Sequence, residues 1–149
     1  MAKEIERKFL VTDSSYRSMA HASFKISQGY ISRRKEGTVR VRVKGDKAFL
    51  TVKGANTGIS RNEWEYEIAL DDATQMLDTV VEGRPLEKTR YLVNYEGYTW
   101  EIDEFEGRLA PLVVAEVEMK SIEENPPLPP FVGREVSGDP AYYNSNLKP

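Results

Sequence analysis

Charged residues recur at every second position in seven short segments of this chain. The segments are Glu4-Ile5-Glu6-Arg7-Lys8, Arg40-Val41-Arg42, Thr51-Val52-Lys53, Glu63-Trp64-Glu65, Lys88-Thr89-Arg90, Glu101-Ile102-Asp103 and Glu116-Val117-Glu118. Residues two apart in a β-strand point to the same face of the sheet. The spacing therefore predicts one charged face, which carries Lys8, Arg40, Arg42, Lys53, Lys88 and Arg90 together with Glu4, Glu6, Glu63, Glu65, Glu101, Asp103, Glu116 and Glu118.

An ordinary antiparallel sheet also has one polar, solvated face, and for a single segment such as Lys88-Thr89-Arg90 that interpretation is the better one. The segments are, however, sorted by sign, with cations together on some strands and carboxylates together on others. Like charges on one strand repel, so a solvated face gains nothing from this sorting. A site in which cations surround a polyanion while carboxylates hold metal ions does need it. The charged face is then expected to line the inside of a barrel.

Phosphate groups match the cations of this face. Arginine offers a two-pronged fork to phosphate oxygens, and lysine a movable point charge. The predicted phosphate-binding residues are Lys8, Arg40, Arg42, Lys53, Lys88 and Arg90.

Divalent metal ions match the carboxylates. Carboxylate oxygens suit Mg2+ or Mn2+, and a chain without cysteine and with one histidine is poorly equipped for zinc. The predicted metal-binding residues are Glu4, Glu6, Glu63, Glu65, Asp103, Glu116 and Glu118. Phosphoryl transfer needs chiefly positioning and charge stabilisation, so this inventory is sufficient for hydrolysis. We interpret Glu4, Glu6 and Lys8 as the catalytic residues, with Glu4 and Glu6 holding a second metal or orienting the attacking water.

Composition limits the remaining possibilities. The 149 residues, 40% hydrophobic and 30% charged, fit one domain over residues 1–149. A net charge of -3 argues against a general nucleic-acid binder. The absence of cysteine excludes disulfides and thiolate chemistry. The N-terminus is too charged for a signal peptide, and no segment is long enough to span a membrane, so a cytoplasmic protein is expected. The oligomeric state stays open, with a homodimer as one option.

Strands dominate the predicted secondary structure. The apolar and charged alternation, bounded by Gly or Asp turns, predicts strands at 4–11, 24–33, 38–44, 49–53, 61–70, 87–95, 98–105 and 112–120. Short links between eight strands predict a mainly β (α+β) fold, an antiparallel barrel that closes on itself and is covered by a few helices.

Three helices are predicted. Asp13 or Ser14 could cap a short helix through Ala20, and Asp71 or Asp72 could cap one that runs to about Val81. The apolar stripe of the second helix would be Met76, Leu77, Val80 and Val81. Asp139-Pro140 predicts a short C-terminal helix over Ala141–Leu147.

The charged segments, in their order along the chain, resemble the CYTH domain, the triphosphate tunnel metalloenzyme superfamily. Glu4-Ile5-Glu6-Arg7-Lys8 matches its ExExK signature, which alone is weak evidence. The rest of the pattern follows in the family's order: Val39-Arg40-Val41-Arg42, Leu50-Thr51-Val52-Lys53, Ser60-Arg61-Asn62-Glu63-Trp64-Glu65, Glu87-Lys88-Thr89-Arg90-Tyr91, Asp103-Glu104-Phe105-Glu106-Gly107 and Val114-Ala115-Glu116-Val117-Glu118. The resemblance covers nearly the whole chain and implies an eight-stranded tunnel that binds a triphosphate with divalent metal.

The resemblance implies a metal-dependent triphosphatase, similar to the short bacterial tripolyphosphatases, that hydrolyses inorganic tripolyphosphate to pyrophosphate and phosphate. Class IV adenylyl cyclases and thiamine triphosphatases belong to the same family and remain alternatives, although the signature begins at residue 4 and leaves no room for the His-Phe pair of the cyclases. A non-catalytic polyphosphate-binding module is the third alternative.

Arg33-Arg34-Lys35 is interpreted as a solvated loop that could attract substrate to the tunnel mouth. The role of Glu67 stays open.

Overall fold

A computed structural model describes residues 2–149, and nine β-strands make up most of this part of the chain. They are β1 (Ala2–Val11), β2 (Ala22–Arg34), β3 (Gly37–Lys44), β4 (Lys47–Gly54), β5 (Ser60–Ile68), β6 (Leu86–Tyr95), β7 (Tyr98–Phe105), β8 (Val113–Glu118) and β9 (Val132–Glu135). The α-helices of the same residues are α1 (Tyr16–Met19) and α2 (Leu70–Thr79). Three-residue 3-10 turns lie at Gly107–Leu109, Pro140–Tyr142 and Asn144–Asn146.

Eight of the strands form a closed antiparallel barrel. Their order is β5-β4-β3-β2-β6-β7-β8-β1, and β1 closes the ring by pairing Ala2 to Ile5 with Glu63 to Ser60 of β5. The other half of β1 pairs with β8, from Glu6 opposite Glu118 to Leu10 opposite Val114. The predicted closed eight-stranded barrel is confirmed.

The short strand β9 adds to β1 beyond the closure point. It pairs Val132 with Val11 and Glu135 with Phe9. The sequence pattern did not predict this strand. Its four residues carry no alternation of apolar and charged side chains, and they lie just after the proline-rich run at residues 126–130.

The tight turn between β6 and β7 fixes their register. Tyr95 pairs with Tyr98, and the two residues between them, Glu96 and Gly97, have φ angles of 50° and 83°. Positive φ at both central positions is the geometry of a two-residue hairpin turn, which glycine adopts without steric cost. This register places Asp103 opposite Arg90.

The outer face of the barrel is apolar and covered on two sides. Phe9, Trp100 and Ile102 are buried beneath α1 and the segment that ends at Phe131. On the opposite side α2 packs Ala73 against Val41. The predicted cover by helices is therefore observed, with the segment before β9 adding to it.

The predicted boundaries of the second helix need correction. Helix α2 begins after Ala69, which provides no side-chain cap, and Asp71 and Asp72 lie in its first turn instead of capping it. The helix ends at Thr79, so Val80 is 52% exposed and is not part of an apolar stripe.

The two other predicted helices are shorter than expected. Helix α1 ends at Met19. Ser15, directly before it, makes no side-chain capping bond, but the predicted cap Asp13 accepts a hydrogen bond from the Ser15 amide at 2.9 Å. The predicted C-terminal helix exists only as two 3-10 turns, although Asp139 does cap the first, because its carboxylate accepts a hydrogen bond from the Ala141 amide.

One end of the barrel interior is apolar. On four strands, an apolar residue lies two positions from an inward-facing charged one, towards the same end of the barrel: Leu10, Leu86, Phe105 and Val114. Three of these four are buried in one cluster with Leu147 from the C-terminal segment, and Leu10 packs against them. The C-terminal segment therefore closes this end of the interior. In residues 2–149 no helix is long and apolar enough to cross a membrane.

Candidate functional site

The charged face lines the inside of the barrel, as the sequence pattern predicts. Its buried charged side chains come from β1, β3, β6, β7 and β8 and are Lys8, Arg40, Arg42, Lys88, Arg90, Asp103 and Glu116. Burial removes their hydration, so each must find an opposite charge, a hydrogen bond or a ligand. The partners that each one finds describe the site.

Asp103 holds two cations on the neighbouring strand. Its Oδ2 accepts hydrogen bonds from Lys88 Nζ at 2.7 Å and from Arg90 Nη2 at 2.9 Å, while Oδ1 accepts one from Arg90 Nε at 2.8 Å. Burial opposes the charge of Asp103, but Arg90 and Lys88 hold its pKa well below its usual range. Because both oxygens are already engaged, Asp103 positions cations in this structure.

Burial is the largest influence on the pKa of Lys88 and lowers it, and the positive charges of Arg90 and Arg42 lower it further. The attraction of Asp103 does not offset these effects, so the pKa lies at about 7. Lys88 therefore changes charge near neutral pH when the tunnel is empty.

Arg42 lacks a carboxylate partner in the described residues, in contrast to its neighbours. Its Nε donates to Gln28 Oε1 at 3.1 Å, whereas Arg40 Nη2 lies 3.7 Å from Glu65 and 3.3 Å from Thr51 Oγ1. Burial lowers the pKa of Arg42 to about 9, and the nearby Arg40 and Arg90 add to this effect. The group of arginines and Lys88 thus carries more positive charge than the surrounding protein neutralises.

Lys53 joins two carboxylates of neighbouring strands. Its Nζ lies 2.9 Å from Glu4 Oε1 and 3.3 Å from Glu63 Oε2. Burial opposes the charge of Glu4, but Lys53 keeps its pKa below the ordinary value. Burial and the charge of Glu4 raise the pKa of Glu63. One lysine therefore serves two acids, and the second is left undercompensated.

Lys8 is held between the barrel and the C-terminal segment. Its Nζ donates to the Tyr142 carbonyl at 2.8 Å and lies 3.4 Å from Glu116 Oε1. Burial would raise the pKa of Glu116, but Lys8 lowers it to about 2. Burial, Glu116 and Glu4 together raise the pKa of Glu6 well above its ordinary value. Glu6 is the carboxyl group that holds a proton most readily in the empty tunnel.

Three further predicted acids lie towards solvent. Glu65 is 40% exposed and accepts a hydrogen bond from Thr51. Glu101 reaches Arg90 Nη1 at 3.1 Å, and together with Glu118 it lines a separate cavity of about 680 Å3. Burial, Glu4 and Glu101 raise the pKa of Glu118. These carboxylates form an acidic rim beside the inner acids.

The acids fit a divalent cation in charge and chemistry, although residues 2–149 contain no group of three or more acids already arranged to surround one. Glu116 Oε1 is buried and accepts no hydrogen bond, and the adjacent Glu6 resists ionisation. A cation bound here would be coordinated by Glu116 Oε1 and would displace the proton from Glu6.

Sequence reasoning missed three polar residues of the interior. Gln28 and Thr51 are fully buried and contact Arg42 and Arg40. Arg61 lines the inner cavity beside Glu4 and Arg40. Arg61 lies two residues before Glu63 in the same strand. The alternation that predicted an inward direction for Glu63 and Glu65 therefore predicts the same direction for Arg61. Glu67, one step later, is exposed.

Comparison with known proteins finds one family and two close relatives. The family model described as the CYTH domain matches residues 2–143. An inorganic triphosphatase of Acetivibrio thermocellus is 49% identical over 147 residues, which cover 99% of this chain and 94% of that protein. An inorganic triphosphatase of Nitrosomonas europaea is 38% identical over 150 residues, covering 97% and 95%.

Solved structures share the fold. The crystal structure of an inorganic triphosphatase superposes with a TM-score of 0.64 at 35% identity, covering 98% of this chain and 94% of that chain. A protein from Hippeastrum with an adenylyl cyclase name and a dominant triphosphatase activity has a TM-score of 0.63 at 15% identity, covering 79% and 80%. At that identity the second similarity concerns the fold alone.

Proposed function

Because the chain belongs to the CYTH domain family, we propose that it is a metal-dependent triphosphatase that converts inorganic tripolyphosphate and water into pyrophosphate and phosphate. The two relatives that are 49% and 38% identical both bear the name inorganic triphosphatase. The proposal agrees with the function that the resemblance of the charged segments to the CYTH domain implies.

The buried cluster of Arg40, Arg42, Lys88 and Arg90 is the observation that carries this function. Four cations lie inside one barrel, and their carboxylate partners are fewer than their charges require. A polyanion with many non-bridging oxygens supplies the missing negative charge and accepts several hydrogen bonds at once. Lys8 and Lys53 lie on neighbouring inner faces and extend this phosphate-binding set.

The inner acids are proposed to hold Mg2+ or Mn2+. Glu4, Glu6 and Glu116 are the central candidates, with Glu63 and Glu118 beside them, whereas Asp103 and Glu65 are assigned to positioning the cations. Such an ion, when bound, shields the charge of the phosphate oxygens and orients a water molecule.

The protein's own residues then bind the phosphate chain, stabilise the developing charge and accept a proton. The arginines and lysines hold the phosphate chain and stabilise the charge that develops on its oxygens. A water oxygen attacks the terminal phosphorus, and the bond from that phosphorus to the bridging oxygen breaks. The proton of the water passes to the carboxylate of Glu4 or Glu6, and pyrophosphate leaves with the bridging oxygen.

Phosphate release tests this function. The substrates are tripolyphosphate, ATP, thiamine triphosphate and pyrophosphate, each with Mg2+ or Mn2+. We expect tripolyphosphate to be the preferred substrate, and Glu6→Gln to abolish turnover without loss of the fold. The matched control is Glu67→Gln, because Glu67 is exposed. Formation of cyclic AMP from ATP without phosphate release would assign the tunnel to a cyclase, and binding without turnover would indicate a binding module.

A further inference from the structure

Arg61 is a tunnel cation with unused hydrogen-bonding capacity. In the described residues its guanidinium makes no ion pair within 4.0 Å, and its Nε is buried without a partner. Among the residues that the structure describes, its one side-chain hydrogen bond runs from Nη2 to Thr38 Oγ1 at 3.3 Å. By contrast, Lys8, Lys53, Lys88 and Arg90 each have a carboxylate within 3.4 Å.

Arg61 also lies where two cavities meet. The inner cavity has a volume of about 70 Å3 and is lined by Glu4, Lys8, Arg40 and Lys53. The second cavity, about 570 Å3, lies between the β2–β3 turn and the C-terminal segment. Five residues line both cavities, so the two are adjacent: Thr38, Asn56, Arg61, Tyr143 and Ser145.

The charge of this outer cavity favours an anion. Its charged lining consists of Arg33, Lys35, Arg61 and a single carboxylate, Glu36. Arg33 is partly neutralised by Glu82, whose Oε2 lies 3.4 Å from its Nε, and it also donates to the Ser145 carbonyl. Lys35 is exposed, and the guanidinium of Arg61 makes a single hydrogen bond and no ion pair in the described residues, so these two are the least neutralised cations of the lining.

We propose that Arg61 and the outer cavity form an additional phosphate subsite, which takes the part of a linear polyphosphate that extends beyond three phosphates. The inference rests on the proposed function, because the first three phosphates must lie among the inner cations. An arginine fork with unpaired donors at the exit of that site can hold the next phosphate through charge-assisted hydrogen bonds. The binding of longer chains should thus depend on Arg61 more strongly than the binding of tripolyphosphate does.

Binding of tripolyphosphate and tetrapolyphosphate to wild type, Arg61→Gln and Arg61→Lys tests the subsite. The dissociation constants are measured with Ca2+, and any turnover is monitored in parallel. For Arg61→Gln we expect the loss of tetrapolyphosphate affinity to exceed the loss of tripolyphosphate affinity by about tenfold or more. Arg61→Lys keeps the charge but not the fork and should lie in between.

The control is Arg108→Gln, which removes an exposed arginine that lines neither cavity. It should leave both affinities unchanged. Thermal melts establish that each variant is folded, and if Arg61→Gln does not fold, Arg61→Lys alone decides the outcome. An equal loss for both ligands, or no loss for either, overturns the outer subsite.

The proposed function fails in a different way from this inference. If wild type neither binds nor hydrolyses tripolyphosphate, the triphosphatase proposal and the subsite fall together. If wild type hydrolyses tripolyphosphate and the Arg61 variants do not discriminate between the two ligands, only the subsite is wrong.

Discussion

Lys88 and Asp103 form an ion pair in which neither side chain is more than 1% exposed, with 2.7 Å between Nζ and Oδ2. Arg90 completes the group, because its guanidinium donates to both oxygens of the same carboxylate. One buried acid therefore compensates two cations, and the neighbouring Arg42 receives no such partner in the described residues. Because of this uneven distribution, the loss of Asp103 and the loss of Arg42 should affect the stability of the empty protein differently.

Asp103→Asn and Arg42→Met are expected to change stability in opposite directions. The first leaves Lys88 and Arg90 without a counter-charge and should reduce the free energy of unfolding by about 3–5 kcal/mol. The second removes an uncompensated buried cation, so the empty protein should be no less stable than wild type. Urea unfolding without ligand measures both changes.

Arg42→Met should at the same time weaken tripolyphosphate binding by roughly tenfold to a hundredfold, because a charge-assisted contact is lost. Normal binding by a destabilised Arg42→Met would show instead that this arginine is structural.

The raised pKa of Glu6 predicts a stability difference that depends on pH. Between the ordinary value of 4.5 and its raised pKa, Glu6 binds more protons in the native state than in the unfolded state, so its contribution to stability falls as pH rises through this window. Glutamine mimics the protonated acid at every pH. Glu6→Gln should therefore match wild type at low pH and become the more stable of the two as pH rises.

Thermal unfolding in EDTA at a series of pH values checks the prediction for Glu6. The exposed variant Glu67→Gln provides the baseline. A constant difference between wild type and Glu6→Gln across the range would mean that Glu6 is ionised throughout.

The pKa of Lys88, about 7 in the empty tunnel, predicts proton uptake on ligand binding. A polyanion favours the charged ammonium, so at a pH above 7 the protein should take up a proton when tripolyphosphate binds. Affinity should then decrease as pH rises above 7. Calorimetry in two buffers of different ionisation enthalpy measures the uptake, and Lys88→Gln, which cannot titrate, should lose this component.

The sequence was sufficient for the eight barrel strands and for the inward direction of their charges, but not for β9. Strict alternation at Arg40 and Arg42 or at Lys88 and Arg90 leaves each side chain a single possible face once the outer face is apolar. The local pattern at Asp139-Pro140 was equally sufficient for the cap by Asp139.

Pairing between distant residues could not be read from the sequence. Asp103 was expected to bind metal, but the register of β6 against β7 gives its oxygens to Lys88 and Arg90. The contact of Lys8 with the Tyr142 carbonyl joins residues 134 positions apart, and it depends on how the C-terminal segment closes the barrel. Long-range contacts of this kind decide which cations remain free.

Stability is expected to depend strongly on ligand. Bound tripolyphosphate neutralises Arg42 and its neighbours, and a ligand at a hundredfold excess over its dissociation constant stabilises the native state by about 2.7 kcal/mol. For a chain of this length that corresponds to a rise in Tm of roughly 5–10 °C. Sulfate and monophosphate reach fewer strands at once and should raise Tm less at equal concentration.

The melts use Glu6→Gln, whose lack of turnover preserves the tripolyphosphate, with Mg2+ present in every sample. Arg42→Met in the same background provides the internal control, because the shift should shrink when the uncompensated cation is removed. An equal shift with sulfate, or a shift that Arg42→Met leaves unchanged, would show that the buried cations do not converge on a triphosphate. A shift specific to tripolyphosphate and dependent on Arg42 would connect the excess positive charge of the empty barrel directly to the ligand that it binds.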